Sequence, residues 1–193
     1  MNEIMQLKPR LIPVKTPWSV AASASFLKLH LSSDDRPEWI SFVGYFRLDH
    51  REAVAAEYLV VAKQPPEFVR TEIVEGAPYR LLRVSFVNGR NYRVSPAISD
   101  REVFPENDYD WSAVPGGLQP GEDTVAYMAR TTEYLLSTGI SPNPSMYEIA
   151  DSTWLVELGI QGPQYHHYLI SGDDKYIEVV AESWAWEPGQ AVE

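Results

Sequence analysis

The chain has 193 residues, 45% hydrophobic and 22% charged, and its 27 acidic residues exceed its 16 basic residues to give a formal net charge of −11. This balance is typical of a single globular domain, here residues 1–193, and excludes a disordered chain, a collagen-like repeat and a coiled coil. Because the chain contains no cysteine, disulfides, thiolate nucleophiles and cysteine-ligated metal sites are excluded as well.

The first segment, residues 1–18, is predicted to be extended, because Pro9, Pro13 and Pro17 interrupt it. No apolar run of signal-peptide length follows this segment. The longest apolar stretches elsewhere, such as 58–62, are too short to cross a membrane. We therefore expect a cytoplasmic protein that makes no contact with a membrane.

Strands are predicted next. Alternation of apolar and polar residues indicates strands over 26–31 and 39–48. Shorter apolar runs bounded by proline or glycine indicate two further strands, over 57–63 and 68–75. Within the second strand, Gly44 indicates a bulge or a close approach of another part of the chain.

The dipeptide Asn88-Gly89 predicts a hairpin over 80–96. A two-residue loop would mix polar and apolar side chains on one face, whereas a three-residue loop over 87–89 separates them. The three-residue loop pairs Leu82 with Val94 and Val84 with Tyr92. We expect these apolar side chains to be buried together: Leu82, Val84, Phe86, Tyr92 and Val94.

A long acidic loop is predicted over 95–121, since this stretch shows no periodicity and carries five prolines and glycines between Pro115 and Gly121. Loops of this length inside a compact domain are uncommon and often functional.

The strongest helix prediction covers 123–138, and Gly139 follows it at the position that terminates many helices. Its apolar stripe is expected to pack on the sheet, so that Leu135→Ala costs about 2–5 kcal/mol. The stripe consists of Val125, Met128, Ala129, Leu135 and Leu136. A second, short helix is predicted over 152–158, closed by Gly159.

A second hairpin, 165–170 with 176–186, ends the chain. Pairing of Ser171 with Tyr176 places His167 opposite Val180. The strand-rich pattern with one good helix and no βαβ alternation predicts an α+β fold. We expect an antiparallel, strongly curved sheet or partial barrel packed on that helix.

The same hairpin suggests one candidate site. His167, Glu178 and Glu182 share a face in this register, and imidazole with carboxylates can bind a metal or perform acid–base chemistry. A small-molecule-binding protein or a metal-assisted enzyme is therefore one hypothesis. The competing interpretation is a solvated strand face with cross-strand charge pairs.

Known enzyme motifs are absent from the sequence. It has no phosphate-binding glycine loop and no nucleophile elbow, and residues 107–110 lack the later ligands of a calcium loop. In the preferred hypothesis the protein is therefore not an enzyme, and we assign it no catalytic residue, cofactor or metal.

Charge is unevenly distributed along the chain. Residues 95–123 hold seven acids and one base, and residues 171–193 hold six acids and one base. Such segments repel nucleic acid, whose binding requires lysine and arginine, and select basic partners. The alternative is that they are solvated faces that keep the protein soluble.

Aromatic residues accompany these acids. We predict that Asp108, Tyr109, Asp110 and Trp111 in the loop, together with Glu182, Trp184 and Trp186 in the last strand, form one exposed binding patch. The protein would then be a non-enzymatic binding module, of an inhibitor, immunity-type or regulatory kind, that engages a basic protein. One alternative is a carbohydrate-binding surface, which also uses aromatic side chains beside carboxylates. The other is that the tryptophans complete the core.

Overall fold

The computed structural model describes residues 8–21, 25–31, 38–46, 79–96, 106–173 and 175–188. In these ranges the chain forms ten strands and two α-helices. The strands are β1 (Arg10–Pro13), β2 (Trp18–Val20), β3 (Lys28–His30), β4 (Trp39–Phe46), β5 (Tyr79–Val87), β6 (Asn91–Pro96), β7 (Met146–Ala150), β8 (His166–Ser171), β9 (Lys175–Ala181) and β10 (Ser183–Pro188). The helices are α1 (Thr124–Thr138) and α2 (Thr153–Glu157). The strands predicted over 57–63 and 68–75 lie outside the described residues.

The strands form two antiparallel sheets. Sheet A has the order β1-β7-β8-β9-β6, and sheet B has the order β10-β5-β4-β2, with β3 also paired to β4. One sheet curls into a half-barrel, and α1 is the main helix of the described chain. The predicted α+β fold with a strongly curved antiparallel sheet is confirmed.

The main core lies between the two sheets. Because side chains alternate along a strand, each sheet contributes every second residue to this layer. Sheet B contributes Trp18, Val20, Ile40, Phe42, Leu82, Val84 and Phe86, and sheet A contributes Met146, Tyr168, Ile170, Ile177, Val179 and Ala181.

The two sheets are joined where two chain segments bend side by side. β5 runs into β6 across Asn88, which has a left-handed φ of 51°. Beside it, β9 runs into β10 across Glu182. The Glu182 N–H donates to the Val87 carbonyl at 3.0 Å, and the Arg90 N–H donates to the Val180 carbonyl at 2.9 Å. Each segment therefore leaves one sheet and enters the other.

This bend corrects the predicted hairpin over 80–96. In the described residues β5 pairs with β4 and β10, while β6 pairs with β9, so Leu82 does not face Val94. The apolar alternation of β5 was correct, because its inward side chains are buried. On β6, however, Tyr92 is only partly buried and Val94 is exposed. Asn88, with its left-handed backbone, therefore lies where the chain bends from one sheet into the other and not in a hairpin turn.

Gly44 marks a close approach, as its position in β4 predicted. A Cβ atom built on Gly44 would collide with the side chain of Leu82 on the neighbouring strand β5. Only glycine fits this position without displacing a core side chain.

The predicted ends of α1 are confirmed, but its predicted packing is wrong. The Asp123 carboxylate accepts the Ala126 N–H at 2.8 Å, and Gly139 ends the helix with a φ of 68°. Thr131 is its one buried residue. The expected cost of Leu135→Ala rested on burial against the sheet, whereas Leu135 is only partly buried. The helix is fastened instead to the loop before it, where Tyr127 Oη donates to the Gly116 carbonyl at 3.2 Å.

A second core covers the outer face of sheet A. It contains Leu11, Val114, Tyr147, Ile149 and Leu169. The described part of the acidic loop, 106–121, has one short 3-10 turn at Glu106–Asp108 and a single β-bridge between Asp110 and Arg10. Because this loop supplies Val114, it is part of the packed structure.

Candidate functional site

A buried polar network lies on the outer face of sheet A. His167 Nε2 is 3.1 Å from Glu178 Oε1, and His167 Nδ1 is 2.7 Å from Ser152 Oγ. The exposed fractions are 3% for His167, 6% for Glu178 and 7% for Ser152. Side chains with acid–base chemistry are thus held together away from solvent.

The C-terminal hairpin positions two members of this network. His167 pairs with Val180, and Leu169 pairs with Glu178, which confirms the predicted register. Since residues two apart on a strand share a face, His167 and Glu178 are diagonal neighbours on the same side of the sheet.

The helix α2 positions the third member. Asp151 adopts a left-handed φ of 58°, and Ser152 then caps α2 by accepting the Leu155 N–H at 3.3 Å. Gly159, with a φ of 66°, closes the helix as predicted. The cap residue of α2 therefore also binds the histidine of β8 and ties the helix to the sheet.

The two ring nitrogens of His167 face different partners. Nδ1 is within hydrogen-bond distance of the Ser152 hydroxyl. Nε2 contacts the Glu178 carboxylate without the alignment of a hydrogen bond, so this contact is electrostatic.

Aromatic and charged side chains cover the buried network. The Trp154 ring packs edge-on against His167, with centroids 4.8 Å apart. The Arg93 guanidinium lies 3.9 Å above Trp154 and reaches the exposed Glu157 carboxylate at 3.4 Å. His167 is thus covered by an indole that is itself covered by an arginine.

Tyr109 covers the network from the side of the loop. Burial raises the pKa of Tyr109 above its usual value, and the nearby Glu178 carboxylate raises that pKa further. The phenol is therefore protonated at neutral pH. With its members more than nine-tenths buried, the network joins β8, β9 and α2, and its geometry fits a structural role.

The third residue of the predicted cluster lies elsewhere. Glu182 sits at the bend between the sheets, where its carboxylate accepts the Asn88 side-chain N–H at 2.8 Å. The predicted grouping of Glu182 with His167 and Glu178 is therefore wrong, because β9 ends before Glu182. Within the described residues, no three histidine, aspartate or glutamate side chains are arranged to hold a metal ion.

The predicted binding residues of the loop divide into two kinds. Tyr109 and Trp111 pack on the outer core of sheet A. Asp110 accepts the Ser112 N–H at 2.9 Å and its hydroxyl at 3.0 Å, and these bonds lower the pKa of the Asp110 carboxyl. Asp108 is exposed. Of the four, Asp108 has the most accessible side chain.

The predicted single patch is not formed. Trp184 and Trp186 are partly buried and pack on the core between the sheets. Tyr109 and Trp111 pack on the opposite face of sheet A. Because a strand sends alternate side chains to opposite faces, a sheet separates the two pairs. A binding role for either segment remains a prediction.

An exposed apolar stripe lies on α1. The exposed fraction is 79% for Val125, 52% for Met128 and 71% for Leu136. We call this surface the α1 apolar face; it consists of Val125, Met128, Ala129, Thr132 and Leu136. The helical spacing revealed this stripe in the sequence, but the sequence did not reveal that it faces solvent.

The opposite side of α1 is fastened by Arg130. Its guanidinium contacts the Glu122 carboxylate at 2.7 Å, and it donates to the carbonyls of Pro115 and Gly117. Hydrogen bonding to the guanidinium lowers the pKa of Glu122. The loop and α1 are therefore held together on one side, which leaves the other side of the helix open.

A further titratable cluster lies on the outer face of sheet B. The His30 ring stacks on Trp39 with centroids 3.5 Å apart, and His30 Nε2 is 2.8 Å from Ser41 Oγ. Arg83 lies 4.1 Å from the Trp39 ring. Burial lowers the pKa of His30 below its usual value, and the charges of Lys28 and Arg83 lower it further.

This shift predicts a pH dependence of stability. The unfolded chain binds a proton at His30 near pH 6.5, whereas the folded protein binds it only at lower pH, so stability is full above about 6.5 and falls as the pH drops below it. Between about pH 8 and about pH 5, the free energy of unfolding measured with urea is expected to fall further for the wild type than for His30→Gln. A larger loss in the variant would contradict the assignment.

No family model, curated protein or solved structure significantly matches this chain. Among the described residues, no helix has both the length and the apolar character needed to cross a membrane.

Proposed function

We propose that this protein is a non-enzymatic binding module that engages a basic protein partner through the α1 apolar face. The observation that carries the proposal is the exposure of Val125, Met128 and Leu136 on a helix whose other side is fastened. Contiguous exposed apolar surface is uncommon on soluble proteins and marks interaction sites.

The charge around α1 supports a basic partner. Residues 119–140, which include α1, contain the acidic residues Glu122, Asp123 and Glu133 and one basic residue, Arg130. Because Arg130 is paired with Glu122, Asp123 and Glu133 give this segment a net negative charge. An inhibitor, immunity-type or regulatory protein of the cytoplasm would use such a surface.

The experiment compares a double variant of the α1 apolar face with a control variant at another exposed apolar residue. A partner is captured from a cell lysate on the immobilised wild-type protein and purified. It is then titrated by calorimetry against the wild type, Met128→Gln/Leu136→Gln and the control Val156→Gln. Val156 is 79% exposed on α2, outside the α1 apolar face. We expect the double variant to bind at least about tenfold more weakly, since apolar anchors dominate interface energies. The control should bind like the wild type.

Salt provides a second readout of the same titration. Raising the ionic strength from about 0.05 to about 0.5 M is expected to weaken the complex, because screening shortens the range of charge attraction. A partner that binds the double variant as tightly as the wild type, or whose binding is unchanged by salt, would contradict the proposal.

A further inference from the structure

The α1 apolar face forms a shallow groove. Small side chains at Ala129 and Thr132 lie between the larger Met128 and Leu136, and the open concavity has a volume of about 650 Å³. The residues that line it, 128–137, extend about 14 Å along the helix axis. The groove is therefore short and narrow, about one helix wide.

The groove carries negative charge at its side and at its end. Glu133 lines it, and Ser137 closes it near the carboxyl end of α1. The last turn of α1 contains no basic residue, so the negative end of the helix dipole is not offset within the helix. Cationic side chains are thus favoured along one side of the groove and at one end.

We infer that the occupant of this groove is a basic amphipathic helix of the partner protein. This inference rests on the proposed function. A row of small residues flanked by larger ones accepts the ridge of a second helix, and a helix places its own apolar anchors at the matching spacing. A footprint of one helix is too narrow for a broad, flat interface.

A second copy of this chain is disfavoured as the occupant. Its face would be identical, and two chains with a net charge of −11 repel each other. A partner helix with lysine or arginine beside its apolar stripe supplies both the complementary shape and the complementary charge.

Three peptides test the inference. The first is a cationic amphipathic peptide of about 18 residues, long enough to span α1. The second has the same apolar positions with glutamate in place of lysine, and the third is a scrambled cationic peptide. Binding is measured by fluorescence anisotropy with the wild type, Met128→Gln/Leu136→Gln and Val156→Gln.

We expect the cationic amphipathic peptide to bind the wild type at least about tenfold more tightly than either other peptide, since it alone combines charge with a helical apolar face. The double variant should lose at least about tenfold of that affinity. Val156→Gln should lose none. Glu133→Gln should weaken the binding of the cationic peptide and should not weaken the binding of the glutamate peptide.

Several results would overturn the inference. They are equal binding of the amphipathic and scrambled cationic peptides, equal binding of the cationic and glutamate peptides, and no peptide binding at all. If sedimentation shows that the wild type is a dimer and the double variant is not, the groove would be assigned to a second copy of this chain. Binding to phosphatidylcholine vesicles lost in that variant would assign it to lipid.

Stability distinguishes an open groove from a covered one. Substitutions at exposed sites change stability by less than about 0.5 kcal/mol, so the double variant should unfold like Val156→Gln. A clearly lower melting temperature would show that the chain itself covers the face. If the peptides fail while the purified partner still discriminates the double variant from the control, the proposed function stands and the helical occupant does not.

Discussion

Replacing His167 with alanine is expected to destabilise the protein by about 3–5 kcal/mol, because a buried charge is left without its partner. The variant leaves the Glu178 carboxylate without the imidazole at 3.1 Å and removes the hydrogen-bond partner of the Ser152 hydroxyl. It also opens a cavity beneath Trp154. Chemical denaturation at neutral pH measures the loss.

The neighbouring histidine provides a matched control. His166 Nδ1 is 2.7 Å from Glu148 Oε1, but both side chains are about one-third exposed. Exposed ion pairs contribute about 0–1 kcal/mol, so His166→Ala should cost far less than His167→Ala. Equal losses for the two variants would show that the network on sheet A is not the cause.

A double variant tests the physical reason. Adding Glu178→Gln to His167→Ala removes the unpaired carboxylate charge while keeping the side-chain shape. Part of the lost stability should return, because a buried amide is less costly than a buried unpaired charge. A further loss of stability in the double variant would contradict the electrostatic explanation.

Replacing Trp18 with alanine is expected to cost about 3–5 kcal/mol, as for other large aromatic residues in a core. Trp18 is fully buried, and its ring lies 5.2 Å from that of Phe42 and 5.9 Å from that of Trp186. The substitution therefore removes the contact between β2, β4 and β10. Thermal or urea unfolding measures the effect.

Two comparisons sharpen this prediction. Trp18→Phe should cost much less than Trp18→Ala, because phenylalanine keeps most of the ring and removes an indole N–H that is buried without a hydrogen-bond partner. Trp39→Ala, on the outer face of sheet B, should cost about 0.5–1.5 kcal/mol as a surface stacking contact. If Trp39→Ala destabilised the protein as much as Trp18→Ala, the core would not lie on the Trp18 face of sheet B as described.

Local patterns explain which predictions were correct. The Asp123 cap and the Gly139 end of α1 involve hydrogen bonds within a few residues of the chain, so they can be read directly. The register of the C-terminal hairpin depends on a short turn and on strand alternation. That register places His167 beside Glu178. Two of the three members of the network were therefore predicted from the sequence, and Ser152 was not.

Competition between distant segments explains the errors. Asn88-Gly89 indicated a left-handed turn, and Asn88 does adopt a left-handed backbone. Whether such a residue closes a hairpin or bends a strand from one sheet to the other depends on which strands occupy the neighbouring edges. β4 and β10 take both edges of β5, so β6 pairs with β9.

The sequence by itself determined the α+β class, the ends of α1 and the pairing of the last hairpin, because these depend on backbone propensity and on neighbouring residues. Only the tertiary structure decided that Glu182 lies outside the network, that Ser152 belongs to it, and that the α1 apolar face is open. The physical reason is that an apolar stripe specifies burial but not the surface that buries it. Here Arg130 and the preceding loop hold the opposite side of α1, so the stripe stays exposed.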